Sequence, residues 1–125
     1  MNLITLEQLF EIHALVIKET GGSNGLRDLG RLESALATQT QNVFGEELYS
    51  NLIEKAAAII RSIIADHPFV DGNKRTAMLT GLTFLKLNSI TFSVPESYIE
   101  DFAVKIAINK LDIKEIAIWL NNYTA

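Results

Sequence analysis

Residues 73–88, NKRTAMLTGLTFLKLN, are apolar almost all round a helical wheel, through Ala77, Met78, Leu79, Leu82, Phe84, Leu85 and Leu87. A helix without a wide polar face has to be enclosed by other elements, so it belongs at the centre of a bundle. Just ahead of it, from Tyr49 to about Asp66, Leu52, Ile53, Ala56, Ala57, Ile59, Ile60, Ile63 and Ile64 form a broad stripe. That stripe predicts a second helix facing neighbours on more than one side. A fold for this chain is therefore built round these two helices and the short loop between them.

The remaining segments supply the enclosure. Thr5 and Gln8 have capping-box spacing, and Leu6, Leu9, Phe10, His13, Val16 and Ile17 continue at helical intervals until Gly21 and Gly22. The turn-rich GGSNGLRDLG follows, with Asp28 placed to cap a shorter helix through Leu32, Leu36 and Ala37. Residues 39–47 lack periodicity and read as a loop or small hairpin about Gly45. Pro95 stands at an expected first helical position, ahead of Tyr98, Phe102, Ile106 and Ile108. Asp112 and Glu115 cap a last helix through Ile116, Trp119 and Leu120. The expectation is an all-α bundle of about six helices with short connections.

At 125 residues this is read as one domain, residues 1–125. The net charge of −4, with no basic stripe, argues against direct nucleic-acid binding. Cysteine is absent, which removes disulfides, thiol catalysis and thiolate metal sites. The start, MNLITLEQLF, lacks a basic leader, and the longest apolar run, Ala56 to Ile60, ends at Arg61, far short of a bilayer span. The reading is a soluble, cytoplasmic protein with no membrane partner.

The chemistry concentrates in HPFVDGNKRT, residues 67–76, between the two central helices. Pro68 disfavours the α region for His67, so the first helix should end there and present the imidazole at its edge. Asp71 and Gly72 turn the chain, and Asn73 opens the next helix, whose free N–H groups make an anion site. Lys74 and Arg75 lie at this helix start, where the dipole disfavours positive charge unless an anion such as a polyphosphate is bound. Histidine titrates near neutrality and can take a proton from a hydroxyl, while a carboxylate such as Asp71 suits Mg²⁺. Asn73, Lys74, Arg75 and the helix N–H groups are placed to stabilise a transferring phosphoryl group. The residues alone leave kinase and nucleotidyl transfer both open.

This stretch, from His67 to Thr76, resembles the signature of the Fic superfamily and more closely that of its death-on-curing (Doc) branch, H-x-F-x-D-[AG]-N-K-R-T. GLRDLGRLESAL ahead of the loop and FLKLNSI after it are also similar to that branch. The resemblance implies a Fic-like bundle and a catalytic set of His67, Asp71, Asn73, Lys74 and Arg75. ATP would be held by Gly72, Asn73, Lys74 and Arg75, and Mg²⁺ by Asp71. Lys74 stands where general Fic enzymes have a second glycine, and Met78 where they have a distal arginine. The Doc branch transfers the γ-phosphate of ATP to a threonine of elongation factor Tu, which halts translation, so the resemblance implies that reaction here over the adenylyl transfer typical of Fic enzymes.

Other implications follow from the same resemblance. The self-inhibitory motif of some Fic proteins is not met, because Ser50 and Glu54 are followed by Lys55, so restraint would fall to a separate antitoxin. Val43, Phe44 and Gly45, within residues 42–47, would form a flap that docks the target chain by strand-like pairing. His13 is read as structural, Arg27 and Asp28 as loop-fixing, and Glu33 as a solvated or pairing residue. An adenylyltransferase is the alternative within the enzyme class. A catalytically idle phosphate- or partner-binding module is the alternative outside it, with a helical DNA-binding module a third option.

Overall fold

A computed structural model describes residues 1–124 and contains, among them, six helices and one two-stranded ribbon. The order is α1 (Leu6–Thr20), α2 (Leu29–Ala37), β1 (Asn42–Val43), β2 (Glu46–Glu47), α3 (Leu52–Asp66), α4 (Asn73–Leu87), α5 (Glu96–Asn109) and α6 (Ile113–Asn122). The architecture is the expected all-α bundle. Ala125, the last residue of the expected domain, lies outside the described residues.

α3 and α4 form the centre, packed on each other, with α2, α5 and α6 against α3 and with α1 and α5 against α4. Their apolar positions explain the arrangement. Ala56, Ala57, Ile59, Ile60, Ile63, Ala77, Met78, Phe84 and Leu85 are all fully enclosed. Leu9, Leu32, Phe102, Ile106, Ile116 and Leu120 close the same core from the outer helices. Among the described residues no helix is long and apolar enough to cross a membrane.

Four helices begin where a short polar side chain accepts the N–H of the third helical residue. The pairs are Thr5 with Gln8, Asp28 with Arg31, Asn51 with Glu54, and Asp112 with Glu115. Two sequence boundaries shift as a result. α3 starts at Leu52, not Tyr49, because Asn51 caps it in extended conformation. Pro95 precedes α5 and does not open it: its ψ of 143° is extended, and the helix runs from Glu96.

The ribbon is a true hairpin, pairing Asn42 with Glu47 and Val43 with Glu46. Its two-residue turn needs positive φ twice, at Phe44 (53°) and Gly45 (83°). The buried Lys55 ammonium on α3 anchors the ribbon, donating to the Gln39 carbonyl (2.9 Å) and the Glu47 carboxylate (3.1 Å).

Gly81 lets the two central helices approach. A Cβ there would lie 2.5 Å from Cγ1 of Ile60, 2.6 Å from its Cδ1 and 3.3 Å from the Ala56 carbonyl. Alanine at an unhindered helical site would add about 1 kcal/mol of stability, but overpacking costs about 1–3 kcal/mol. Gly81→Ala is therefore expected to lower the urea midpoint, a net loss of about 1 kcal/mol. A raised midpoint would show that the Ile60 side chain gives way to the added methyl without loss of packing.

Candidate functional site

The loop of residues 67–72 is held by the elements on either side of it. His67 ends α3 in left-handed conformation (φ 48°, ψ 60°), with its N–H donating to the Ile63 carbonyl at 3.1 Å. The helix thus ends ahead of Pro68 as expected, although His67 takes the left-handed and not the extended region, and its side chain is left exposed. The Pro68 carbonyl accepts from the N–H groups of Arg27 (2.7 Å) and Asp28 (3.0 Å), and the Val70 N–H donates to Gly25 (3.0 Å). The α1–α2 connection is thereby stitched to the loop.

Beneath it, Phe69 is buried and stacked on the His13 ring, with centroids 3.7 Å apart and planes 6° from parallel. His13 is buried too, and its Nε2 lies 2.9 Å from the Asp71 carbonyl. The structural role read for His13 is thus given a definite form. The Asn73 side chain spans the loop: its Oδ1 accepts the Phe69 N–H and its Nδ2 donates to the Phe69 carbonyl, both at 2.9 Å. That buried amide is fully engaged. What Asn73 offers an anion is its backbone N–H in the first turn of α4, whereas the sequence reading gave its side chain a share in phosphate binding.

Asp71 is exposed, and each carboxylate oxygen meets one backbone N–H: Oδ1 that of Gly72 (2.9 Å) and Oδ2 that of Ser23 (3.2 Å). Gly72, with φ 75°, precedes α4 and supplies no side-chain cap. The first N–H groups of α4 therefore remain open, in contrast to the four helices capped by side chains. Lys74 is exposed and makes no ion pair among the described residues.

Arg75 differs from expectation. Its guanidinium pairs with Glu96, with Glu100 at 3.2 Å and with Glu19 at 3.7 Å. Its charge at the helix start is thus balanced by carboxylates from α1 and α5, and the dipole conflict read from sequence is local to Lys74. Met78 is wholly buried in the core. Among the described residues no hydrogen bond joins the side chains of His67, Asp71 and Lys74; what they share is the short stretch of backbone from the end of α3 to the start of α4.

In the hairpin, Phe44 at the tip is fully exposed and Val43 half exposed. Asp28 caps α2 and pairs with Arg31 (3.4 Å), while Arg27 engages through its backbone. Glu33 is exposed. Sequence reasoning missed Gly22 and Ser23 behind Asp71, the three glutamates at Arg75, and Lys55 beneath the hairpin. The first two groups lie 21 to 56 residues from their partners and carry no local pattern. A lysine inside an apolar helical stripe, as Lys55 is, was a visible signal of a buried partner.

The sequence profile of the Fic/DOC family matches residues 3–85. The chain is 37% identical over 109 residues to the Toxin Doc of Mycolicibacterium smegmatis, covering 84% of this chain and 82% of that protein. It is 32% identical over 118 residues to the Protein kinase doc of Escherichia phage P1, covering 94% and 91% respectively.

Removing the Asn73 amide strands two buried backbone groups of Phe69. Asn73→Ala is expected to cost about 2–4 kcal/mol, given about 1–3 kcal/mol for each stranded group. Lys74→Ala should leave stability almost unchanged. Urea unfolding of the two variants checks this; equal midpoints would show that the amide does not hold the loop.

Proposed function

This chain belongs to the Doc branch of the Fic/Doc family, and we propose that it is the toxin of a toxin–antitoxin module acting as a protein kinase. Its substrates would be ATP and a threonine hydroxyl of elongation factor Tu, and its restraint a cognate antitoxin. The observation that carries the reading is the N-terminus of α4, which has no side-chain cap and is flanked by the exposed Asp71 carboxylate and by Lys74, which forms no ion pair among the described residues. The names of two relatives, a toxin and a protein kinase, support it.

The site residues suit the group the reaction needs. Among the described residues no Lys, Arg or His side chain forms an ion pair with Asp71, and its oxygens keep lone pairs beyond the two N–H groups they accept. Mg²⁺ is commonly bound by one or two carboxylates together with substrate phosphates. Mg²⁺ supplies neutralisation of charge on the transferring phosphate, and Asp71 is the residue that would hold it.

The first-turn N–H groups of Asn73, Lys74 and Arg75 and the Lys74 ammonium would take the ATP phosphates. Arg75 is already matched by three carboxylates, so Lys74 is the readier cation. His67 would accept the threonine proton as the hydroxyl oxygen forms its bond to the γ-phosphorus. The bond from that phosphorus to the β–γ bridging oxygen breaks, and ADP leaves. The hairpin tip, Val43 to Gly45, would receive the target segment along its strand edge.

With elongation factor Tu and ATP labelled at the α or the γ position, label should pass to the target from γ only. Transfer from α alone overturns the kinase in favour of adenylylation. His67→Ala should reduce transfer by about 10²–10⁴-fold with an unchanged melting midpoint. Toxicity in growing cells that survives this substitution would instead support a catalytically idle binding module.

A further inference from the structure

A carboxylate on an exposed loop ordinarily samples several rotamers, and ordering it requires contacts that offset the lost freedom. Asp71 has such contacts on both its backbone and its side chain, and their sources converge. From within α1, the buried His13 presents Nε2 to the Asp71 carbonyl at 2.9 Å while its ring lies flat on Phe69. For Nε2 to donate to a carbonyl it must carry the ring proton, so the contact selects that tautomer or the imidazolium. From the turn after α1, the Ser23 N–H meets Oδ2 at 3.2 Å.

Gly22 explains how that turn comes so close. A Cβ on Gly22 would stand 2.5 Å from Oδ2 and 3.2 Å from Cγ of Asp71. Its φ is not in the left-handed region, unlike those of Gly21, Gly25 and Gly72, so the backbone conformation does not call for glycine. The Asp71 carboxylate does. The side chain occupies the volume that any other residue at position 22 would fill.

We propose that His13 and Gly22 are positioning residues for Asp71: one fixes its carbonyl, the other leaves room for its carboxylate against the Ser23 N–H. The pair acts through Asp71 and touches no substrate. The proposal rests on the reading of Asp71 as the metal-bearing carboxylate, and it extends the site into α1, ahead of the 67–76 motif.

Gly22→Ala and His13→Phe test it in the full chain. The first adds only the obstructing methyl; the second keeps an aromatic stack and removes the donor. By hydrogen exchange, the Ser23 and Gly72 amides in Gly22→Ala should exchange about tenfold faster, with α3 and α4 protected as before. By calorimetry, both variants should bind ATP in the presence of Mg²⁺ about 10-fold or more weakly, and metal-free ATP as the parent does. Unchanged exchange at Ser23 and Gly72 together with unchanged Mg²⁺-dependent affinity overturns the proposal. A parallel loss of metal-free and metal-dependent binding overturns it as well, since that is general loosening. If the parent chain shows no Mg²⁺-dependent affinity, the metal reading of Asp71 falls, and the exchange data on Gly22→Ala alone then decide whether Gly22 positions it.

Discussion

The Asn73 amide bridges both backbone groups of Phe69, and the site depends on that bridge. α3 ends at Asp66 and α4 begins at Asn73, so a six-residue loop has to reverse the chain between two buried helices. Such a reversal leaves backbone donors and acceptors without helical partners, and here one side chain satisfies two of them inside the core. With Phe69 fixed, its ring becomes a platform for His13, and His13 in turn reaches the Asp71 carbonyl. Apolar packing and polar geometry are therefore coupled: the aromatic ring that fills the core also locates the exposed acid.

The electrostatics follow from the same geometry. α4 starts without a side-chain cap because Gly72 occupies the capping position in left-handed conformation. Its open N–H groups favour an anion, and Lys74 at the same end is compatible with one. Arg75 is one residue further round the helix and points to a different neighbourhood, where Glu19, Glu96 and Glu100 surround it. Two adjacent cations in the sequence thus have two separate roles. One is part of the candidate site, and the other ties α4 to α1 and α5 near the site's edge.

Much of the architecture was legible from residue patterns. Caps at Thr5, Asp28 and Asp112 act within four residues of chain, so their spacing is visible directly. The apolar stripes of α3 and α4 announced their central place, since no surface helix tolerates so little polar area. The boundary at Asn51 was less visible, because Tyr49 falls in phase with the stripe that follows it. Pro95 misled for a related reason: proline suits both the first helical position and the extended residue before it. In the hairpin, Gly45 marked the turn, but the buried Lys55 beneath it was read only as a mismatch to a motif.

By itself the sequence determined the helices, the caps at Thr5, Asp28 and Asp112, the all-α class and the 67–76 motif, because these depend on residues a few positions apart. The tertiary structure alone decided which polar groups within that motif are available. Asn73 is turned inward to Phe69, Arg75 is matched by carboxylates from two other helices, and Asp71 is set against Gly22 and Ser23. Hydrogen bonds and ion pairs act over a few ångströms in space. Only the packing of α1 and α5 against α4 brings such distant residues within that range.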